Sequence, residues 1–171
     1  MYHFCPKCGG SLGNRYVDGD KHERLVCANC GFIFYQNSKP CASALLEKDG
    51  RVMLVRRAVE PYKGCWDIPG GFLENGEHPE DGVVRELLEE TGLTIEPTEI
   101  LGIFMDIYAY GDGGDHTLNF FYTARIASGE PTPASDVDAI GWFGPHEIPE
   151  NVAFACCRQA LDAWIQQRSQ T

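Results

Sequence analysis

Beyond residue 40 the chain alternates short apolar runs with polar turns. Residues 41–46 and 52–55 are two such runs with Lys48-Asp49-Gly50 between them, which predicts a hairpin reversing at Asp-Gly. Trp66-Asp67-Ile68-Pro69-Gly70-Gly71-Phe72 comes next, its glycine pair permitting backbone shapes that a Cβ forbids. A 3.6-residue period then sets in. Val83, Val84, Leu87, Leu88 and Thr91 share the core face of a helix expected over residues 80–91, entered through Pro79 and stopped at Gly92. Glu86, Glu89 and Glu90 fall on the opposite side. Further on, residues 100–108 and 117–126 read as strands joined by a flexible loop over 111–116. Residues 139–143 form another strand, 145–149 a break, and 152–167 a closing helix with Cys157, Leu161, Trp164 and Ile165 near one face. Strands interspersed with helices in this way predict an α/β domain.

The first forty residues follow a different rule. Cys5-Pro6-Lys7-Cys8 and Cys27-Ala28-Asn29-Cys30 are two C-x2-C pairs eighteen residues apart, each followed by glycine, and four thiolates at this spacing suit tetrahedral zinc. Residues 24–26 and 32–35 read as short strands, but so few aliphatics cannot supply a core, so the metal takes its place. Two redox dithiols are the alternative, disfavoured because no βαβ pattern surrounds either pair. With Cys5, Cys8, Cys27 and Cys30 all engaged, a structural Zn²⁺ without an open position is expected. The expected division is a zinc ribbon over 1–38 and a second domain over 39–171.

Composition narrows the function classes. A chain of 171 residues, 43% hydrophobic and 23% charged, suits one full domain plus a small appendage. No apolar run approaches the ~20 residues of a membrane span, and Met-Tyr-His-Phe-Cys lacks the features of a signal peptide, so a cytoplasmic address is expected. Cysteines are kept reduced there, and Cys41, Cys65, Cys156 and Cys157 are expected as small core residues. The net charge of −11 argues against a nonspecific grip on nucleic acid. It is unevenly spread: residues 1–40 hold five Lys/Arg against three Asp/Glu, leaving nine against twenty-two in the rest. Four thiolates and one Zn²⁺ bring the first segment to about zero, consistent with a scaffold or dimer contact. An acidic domain handling an anionic substrate calls for a bound divalent cation.

Glu86 and Glu90, one helical turn apart, repel by a few tenths of a kcal/mol in an ordinary helix. Clustered carboxylates of this kind suit Mg²⁺ or Mn²⁺; the plain alternative is a solvated acidic face. The wider spacing is Gly71, five residues, Glu77, seven residues, then Arg85-Glu86-Leu87-Leu88-Glu89-Glu90-Thr91-Gly92-Leu93. This resembles the full Nudix signature G-x5-E-x7-R-E-U-x-E-E-x-G-U, U being aliphatic, at every fixed position. The resemblance implies an α/β/α sandwich with a mixed sheet, preceded by the ribbon, and hydrolysis of a nucleoside diphosphate linked to another moiety. It implies Glu86 and Glu90 as main metal ligands, Glu89 as a further ligand or base, the Gly71 carbonyl as a coordinating corner, and Glu77 and Arg85 in support. Members are often homodimers. Two departures, His78 where a Ser or Thr cap is usual and Gly82 inside the helix, lower the expected rigidity of the first turn.

The family often supplies another acid from outside the signature. Asp136 and Asp138 are the candidates, or else loop carboxylates beside a turn. His116 is a candidate phosphate contact or an exposed loop histidine. Among Phe104, Tyr108, Tyr110 and Phe121, most are expected to pack, with Tyr110 a candidate substrate contact. The ribbon, Tyr35-Gln36-Asn37 and residues 64–71 resemble the short ribbon-Nudix group that includes FAD and ADP-ribose pyrophosphatases, so ADP-ribose or FAD, giving AMP, is the first expectation. NADH pyrophosphatases carry an S-Q-P-W-P-F-P-x-S array that this sequence lacks. A proline common in ADP-ribose enzymes is missing, and Tyr108 and Tyr110 nearby are more like diadenosine-polyphosphate enzymes. Nudix proteins that act as ligand-binding regulators commonly lose signature carboxylates, all of which are present here.

Overall fold

The computed structural model describes residues 2–110 and 113–168. The chain forms two compact units, Met1–Ser38 and Lys39–Thr171. In the first, β1 (Leu12–Tyr16), β2 (Glu23–Cys27) and β3 (Ile33–Phe34) make an antiparallel sheet in that order. Turns carry the cysteine pairs, with Gly9 N–H donating to the Cys5 carbonyl at 2.9 Å and Gly31 N–H to that of Cys27 at 3.1 Å. Among the described residues, both hydrophobic clusters lie in the second unit, as so few aliphatics in the first would dictate.

The second unit is built on a mixed sheet of β4 (Lys39–Lys48), β5 (Arg51–Arg57), β6 (Trp66–Asp67), β7 (Gly70–Phe72), β8 (Thr94–Tyr110), β9 (Gly113–Ser128) and β10 (Val137–Phe143). Its main path runs β10-β5-β4-β9-β8, with β6 on β5 and β7 on β4; only the β4–β9 pairing is parallel. Asp49 and Gly50, both at positive φ, make the expected tight reversal between β4 and β5. Alternation along β4 sends Ala42, Ala44 and Leu46 to one face and Leu45 to the other. The first face packs against Val83 and Leu87 of α1 (Pro79–Thr91), the second against Leu161 and Trp164 of α2 (Ala155–Arg168). The result is a sheet between two helices.

Four local expectations are corrected. The segment expected as a loop over 111–116 is largely strand, because β9 starts at Gly113 and pairs with β8 from Tyr110↔Gly113 onward. Helix α2 starts three residues late: Trp66 N–H donates to Asn151 and Ala153 N–H to Trp66, an extended pairing incompatible with helical backbone. Leu88 is 52% exposed, at the edge of the apolar stripe rather than within it. The first turn of α1 is well tied: His78 Nδ1 accepts from Glu80 N–H at 3.3 Å, and a Cβ at Gly82 would crowd the Leu73 side chain.

A Cβ at Gly82 would stand 2.4 Å from Leu73 Cδ2 and 3.0 Å from Glu77 Oε2. Gly82→Ala gains ~1 kcal/mol of helix propensity, and overpacking costs about 1–3 kcal/mol. A net fall in thermal midpoint is expected in calorimetry, and a rise would contradict the packing argument.

Candidate active site

The site forms where the sheet splays. Along one edge of β4, the first residues pair with β7 (Cys41↔Phe72 to Ser43↔Gly70) and the last with β5 (Glu47↔Val52, Lys48↔Arg51). The segment from Trp66 to Phe72 crosses between them, pairing first with β5 and then with β4. Its residues Asp67, Ile68, Gly70, Gly71 and Phe72 line a cleft of about 270 Å³, together with Glu86 and Glu90 of α1. At Gly71 a Cβ would lie 2.6 Å from Glu86 Cδ, so only glycine lets that carboxylate rest against the backbone.

Arg85 organises the outer side. Its Nε and Nη2 donate to Glu77 Oε1 and Oε2 at 2.8 and 2.9 Å, its Nη1 to Glu86 Oε1 at 2.7 Å, and its Nη2 also to the Phe72 carbonyl at 3.1 Å. One guanidinium thus ties the Glu77 turn, α1 and β7 together. Beside Arg85 the Glu77 carboxyl is held down to about 2. A lowered carboxylate pKa contributes stability that is fully present above the ordinary value of 4.5 and is lost as pH falls towards 2. Glu77→Gln is therefore expected to flatten the loss of stability between pH 4.5 and 2, as followed by denaturant titration. An unchanged acid limb would contradict it.

Glu90 differs from the solvent-side residue that the helical period suggests. It is 7% exposed, and its Oε2 accepts the Gly70 N–H at 3.0 Å. Burial first, then the charge of Asp136, push its carboxyl well above the usual range; Glu86 is raised by burial despite Arg85. Asp136 lines the same cleft, whereas Glu89 stays 53% exposed, 3.6 Å from Arg85, and does not line it. Carboxylates that line one cleft, half-buried at Glu86 and Asp136 and buried at Glu90, fit a divalent cation that would offset their mutual repulsion. The Glu86 and Glu90 oxygens are at present drawn to Arg85 and to Gly70 N–H.

Other candidates separate cleanly. Asp138 sits at the irregular step between Val137 and Ala139 in β10, which turns it outward to Arg56 at 2.6 Å and away from the cleft. Of the two readings of His116 the structure fits the exposed one, on a strand rather than a loop: alternation along β9 aims Thr117, Asn119 and Phe121 into the cleft and leaves His116, opposite Ile107, exposed on the other face. The side chain of Tyr110 lies outside the described residues. Phe104 packs on Phe121 at 5.8 Å, while Tyr108 lines the cleft, stacked on Phe154 at 5.6 Å and edge-on to Phe72 at 5.2 Å.

Sequence reasoning missed Arg57, Asp67, Asp106 and Phe154 as cleft residues, and took Cys41, Cys156 and Cys157 as plain core. These three thiols are buried, as expected, yet they line the cleft; burial pushes Cys41 up to about 12, so it stays protonated. Asp67, three residues before the glycine pair, was the one of these with a positional signal.

In the first unit the four sulfurs of Cys5, Cys8, Cys27 and Cys30 lie within 4.8 Å of one another. The separations Cys5–Cys30 and Cys8–Cys27, 3.8 and 3.5 Å, match the edge of about 3.8 Å expected of a tetrahedral ZnS₄ centre with 2.3 Å bonds. The Cys30 N–H holds the Cys27 thiol down to about 6. Cys8, although the Gly10 N–H favours its ionised form, is pushed up to about 12 by the neighbouring thiols. Such crowding of ionisable sulfurs is what a zinc ion relieves.

Comparison with known proteins identifies the family of both segments. Residues 38–160 match the family model described as the NUDIX domain, and residues 3–36 the one described as Nudix N-terminal. A protein named ADP-ribose pyrophosphatase, from Methanocaldococcus jannaschii, is 31% identical over 119 residues, 70% of this chain and 69% of that protein. The NAD-capped RNA hydrolase NudC of Pseudomonas aeruginosa is 28% identical over 169 residues, 97% of this chain but 56% of its own length. The crystal structure of a NUDIX hydrolase from Nitrosomonas europaea aligns with a TM-score of 0.83 at 29% identity, over 99% of this chain and 93% of that one. No helix among the described residues is long and apolar enough to cross a membrane. Gly71, Glu86 and Glu90 of the signature on one acidic cleft, a four-thiol ribbon and these matches lead to one conclusion: the chain belongs to the Nudix hydrolase family, with a zinc-ribbon segment before its catalytic domain.

Proposed function

We propose that the protein hydrolyses the diphosphate linkage of a nucleoside diphosphate joined to another moiety, with ADP-ribose or FAD as first choice and AMP as product. The observation that carries this reading is the convergence of half-buried Glu86 and buried Glu90 with Asp136 on one cleft beside Gly71. Glu86, Glu90 and the Gly71 carbonyl would hold Mg²⁺ or Mn²⁺, with Asp136 the added acid and Glu89 a further ligand or base. Such a cation, when bound, neutralises the bridging diphosphate and lowers the pKa of a water.

The chain's own groups do the rest. Arg85 keeps Glu86 in place while Glu77 fixes Arg85, so the carboxylates meet substrate without rearranging. The Gly70 N–H orients Glu90. Phe72, Tyr108 and Phe154 give the cleft an aromatic wall suited to a purine or flavin ring. The name of the archaeal relative supports ADP-ribose. A second reading, an NAD-derived substrate such as NADH, draws on the relative named NAD-capped RNA hydrolase NudC, whose match extends over both units. The ribbon serves as scaffold or as a contact in a homodimer, and the full set of signature carboxylates supports catalysis over a purely regulatory role.

The test is product analysis with Mg²⁺ or Mn²⁺ against ADP-ribose, FAD, NADH and diadenosine polyphosphates. AMP release is expected to be fastest from ADP-ribose or FAD. A panel led by NADH or a diadenosine polyphosphate would overturn the substrate choice, and silence across it would overturn the hydrolytic reading.

A further inference from the structure

Six carboxylates line the cleft, and among the described residues it has a single cationic side chain, Arg57. This arginine ends β5 and is held from three sides. Its Nε donates to the Pro61 carbonyl at 2.8 Å, its Nη1 to Asp67 Oδ2 at 3.2 Å, and its guanidinium carbon stands 5.1 Å from the centre of the Phe154 ring. The groups that hold it are themselves fixed. Asp67 is buried and also accepts the Ile68 N–H and the Cys157 S–H, both at 2.9 Å. The loop carrying Pro61 is closed by Gly64 N–H on the Arg57 carbonyl at 2.8 Å and by Cys65 N–H on that of Tyr62 at 3.0 Å. Tyr62 takes a φ of +63°, a left-handed backbone that an aromatic residue rarely adopts, and its ring meets Phe154 edge-on at 5.1 Å.

All this restraint acts on a guanidinium with two of its five N–H groups engaged. Among the described residues Nη2 has no hydrogen-bond partner, although the side chain is only 12% exposed. An arginine that only positions other protein groups directs its donors into the protein, as Arg85 does with Glu77, Glu86 and Phe72. The remaining donors of Arg57 suit an incoming anion. A diphosphate entering a cleft rich in carboxylates needs fixed positive charge besides any cation at Glu86 and Glu90, and the planar fork of arginine matches phosphate oxygens.

We propose that Arg57 is a substrate-contacting residue whose free N–H edge takes a non-bridging phosphate oxygen of the bound nucleotide. The assignment rests on the diphosphate-hydrolase reading and adds to it a residue outside the signature. Its test is Arg57→Gln, compared with the wild type in steady-state kinetics and in calorimetric binding of AMP and of adenosine. The expected result is a KM raised about tenfold or more with kcat within about threefold, and AMP binding weakened in parallel. Adenosine, which has no phosphate, is expected to bind both proteins equally.

Unchanged KM and AMP binding would overturn the assignment, as would equal weakening of AMP and adenosine, which marks a merely structural role. If Arg57→Gln lowers the thermal midpoint sharply, Arg57→Lys decides: it keeps the charge without the fork, so KM is expected to rise about threefold to tenfold, and no change overturns the proposal. A wild type that hydrolyses nothing fails the hydrolase reading, whereas an active wild type with an indifferent Arg57→Gln fails this assignment alone. AMP binding needs no turnover and decides between the two proteins in either case, with no binding by either counting against it.

Discussion

Glu90→Gln is expected to reduce kcat about 10³-fold, a loss of roughly 4 kcal/mol of transition-state stabilisation, while leaving the fold intact. Glu90 is buried beside Asp136, Asp67 and Glu86, and among the described residues only the Gly70 N–H compensates its charge directly. Glutamine has the same shape and its oxygen can still accept that N–H, so the packing survives. What disappears is a charge that burial penalises, and with it the attraction for a divalent cation. The cation-free variant is therefore expected to melt at the same temperature as the wild type or higher, and to bind Mn²⁺ more weakly in a calorimetric titration. A variant retaining more than about a tenth of wild-type turnover would contradict Glu90 as a metal ligand.

Removing zinc is expected to unfold the first unit and spare the second. The ribbon has no hydrophobic cluster among its described residues, so metal binding, about 10–16 kcal/mol in small zinc domains, supplies its folding free energy. The second unit carries both clusters, one on each face of the sheet. Hydrogen exchange after chelation should show peptides from residues 1–38 losing protection while those from 39–171 keep theirs, and metal analysis should find one zinc per chain beforehand. Loss of protection in both units together would contradict this separation.

Features that depend on local spacing were legible in the sequence. The two cysteine pairs, the Asp49-Gly50 reversal, α1 and the Nudix signature each follow from residues close together along the chain, and each has its counterpart in the structure. Features set by what a side chain meets across space were not. A helical period divides positions into apolar and polar but does not say that a second layer covers the polar side, so Glu90 read as exposed and Leu88 as core. Glycine and aspartate at 111–116 have loop composition, yet antiparallel pairing with β8 extends the strand through Gly113 and fixes which way His116 faces. Asp136 and Asp138 looked equivalent until the irregular step in β10 separated them. Arg57 and Asp67 lie ten residues apart on different strands, and only their pairing across the splayed sheet marks them as a unit.

The central claim is that water attacks phosphorus in a nucleoside diphosphate under the control of the Glu86–Glu90 cluster. Hydrolysis of ADP-ribose with Mg²⁺ in ¹⁸O-labelled water, read by ³¹P resonance and mass spectrometry, tests it most directly. The expected result is one ¹⁸O in the phosphate of either AMP or ribose phosphate, formed by the wild type and nearly absent with Glu90→Gln. Products free of ¹⁸O on phosphate, or equal formation by both proteins, would contradict the account.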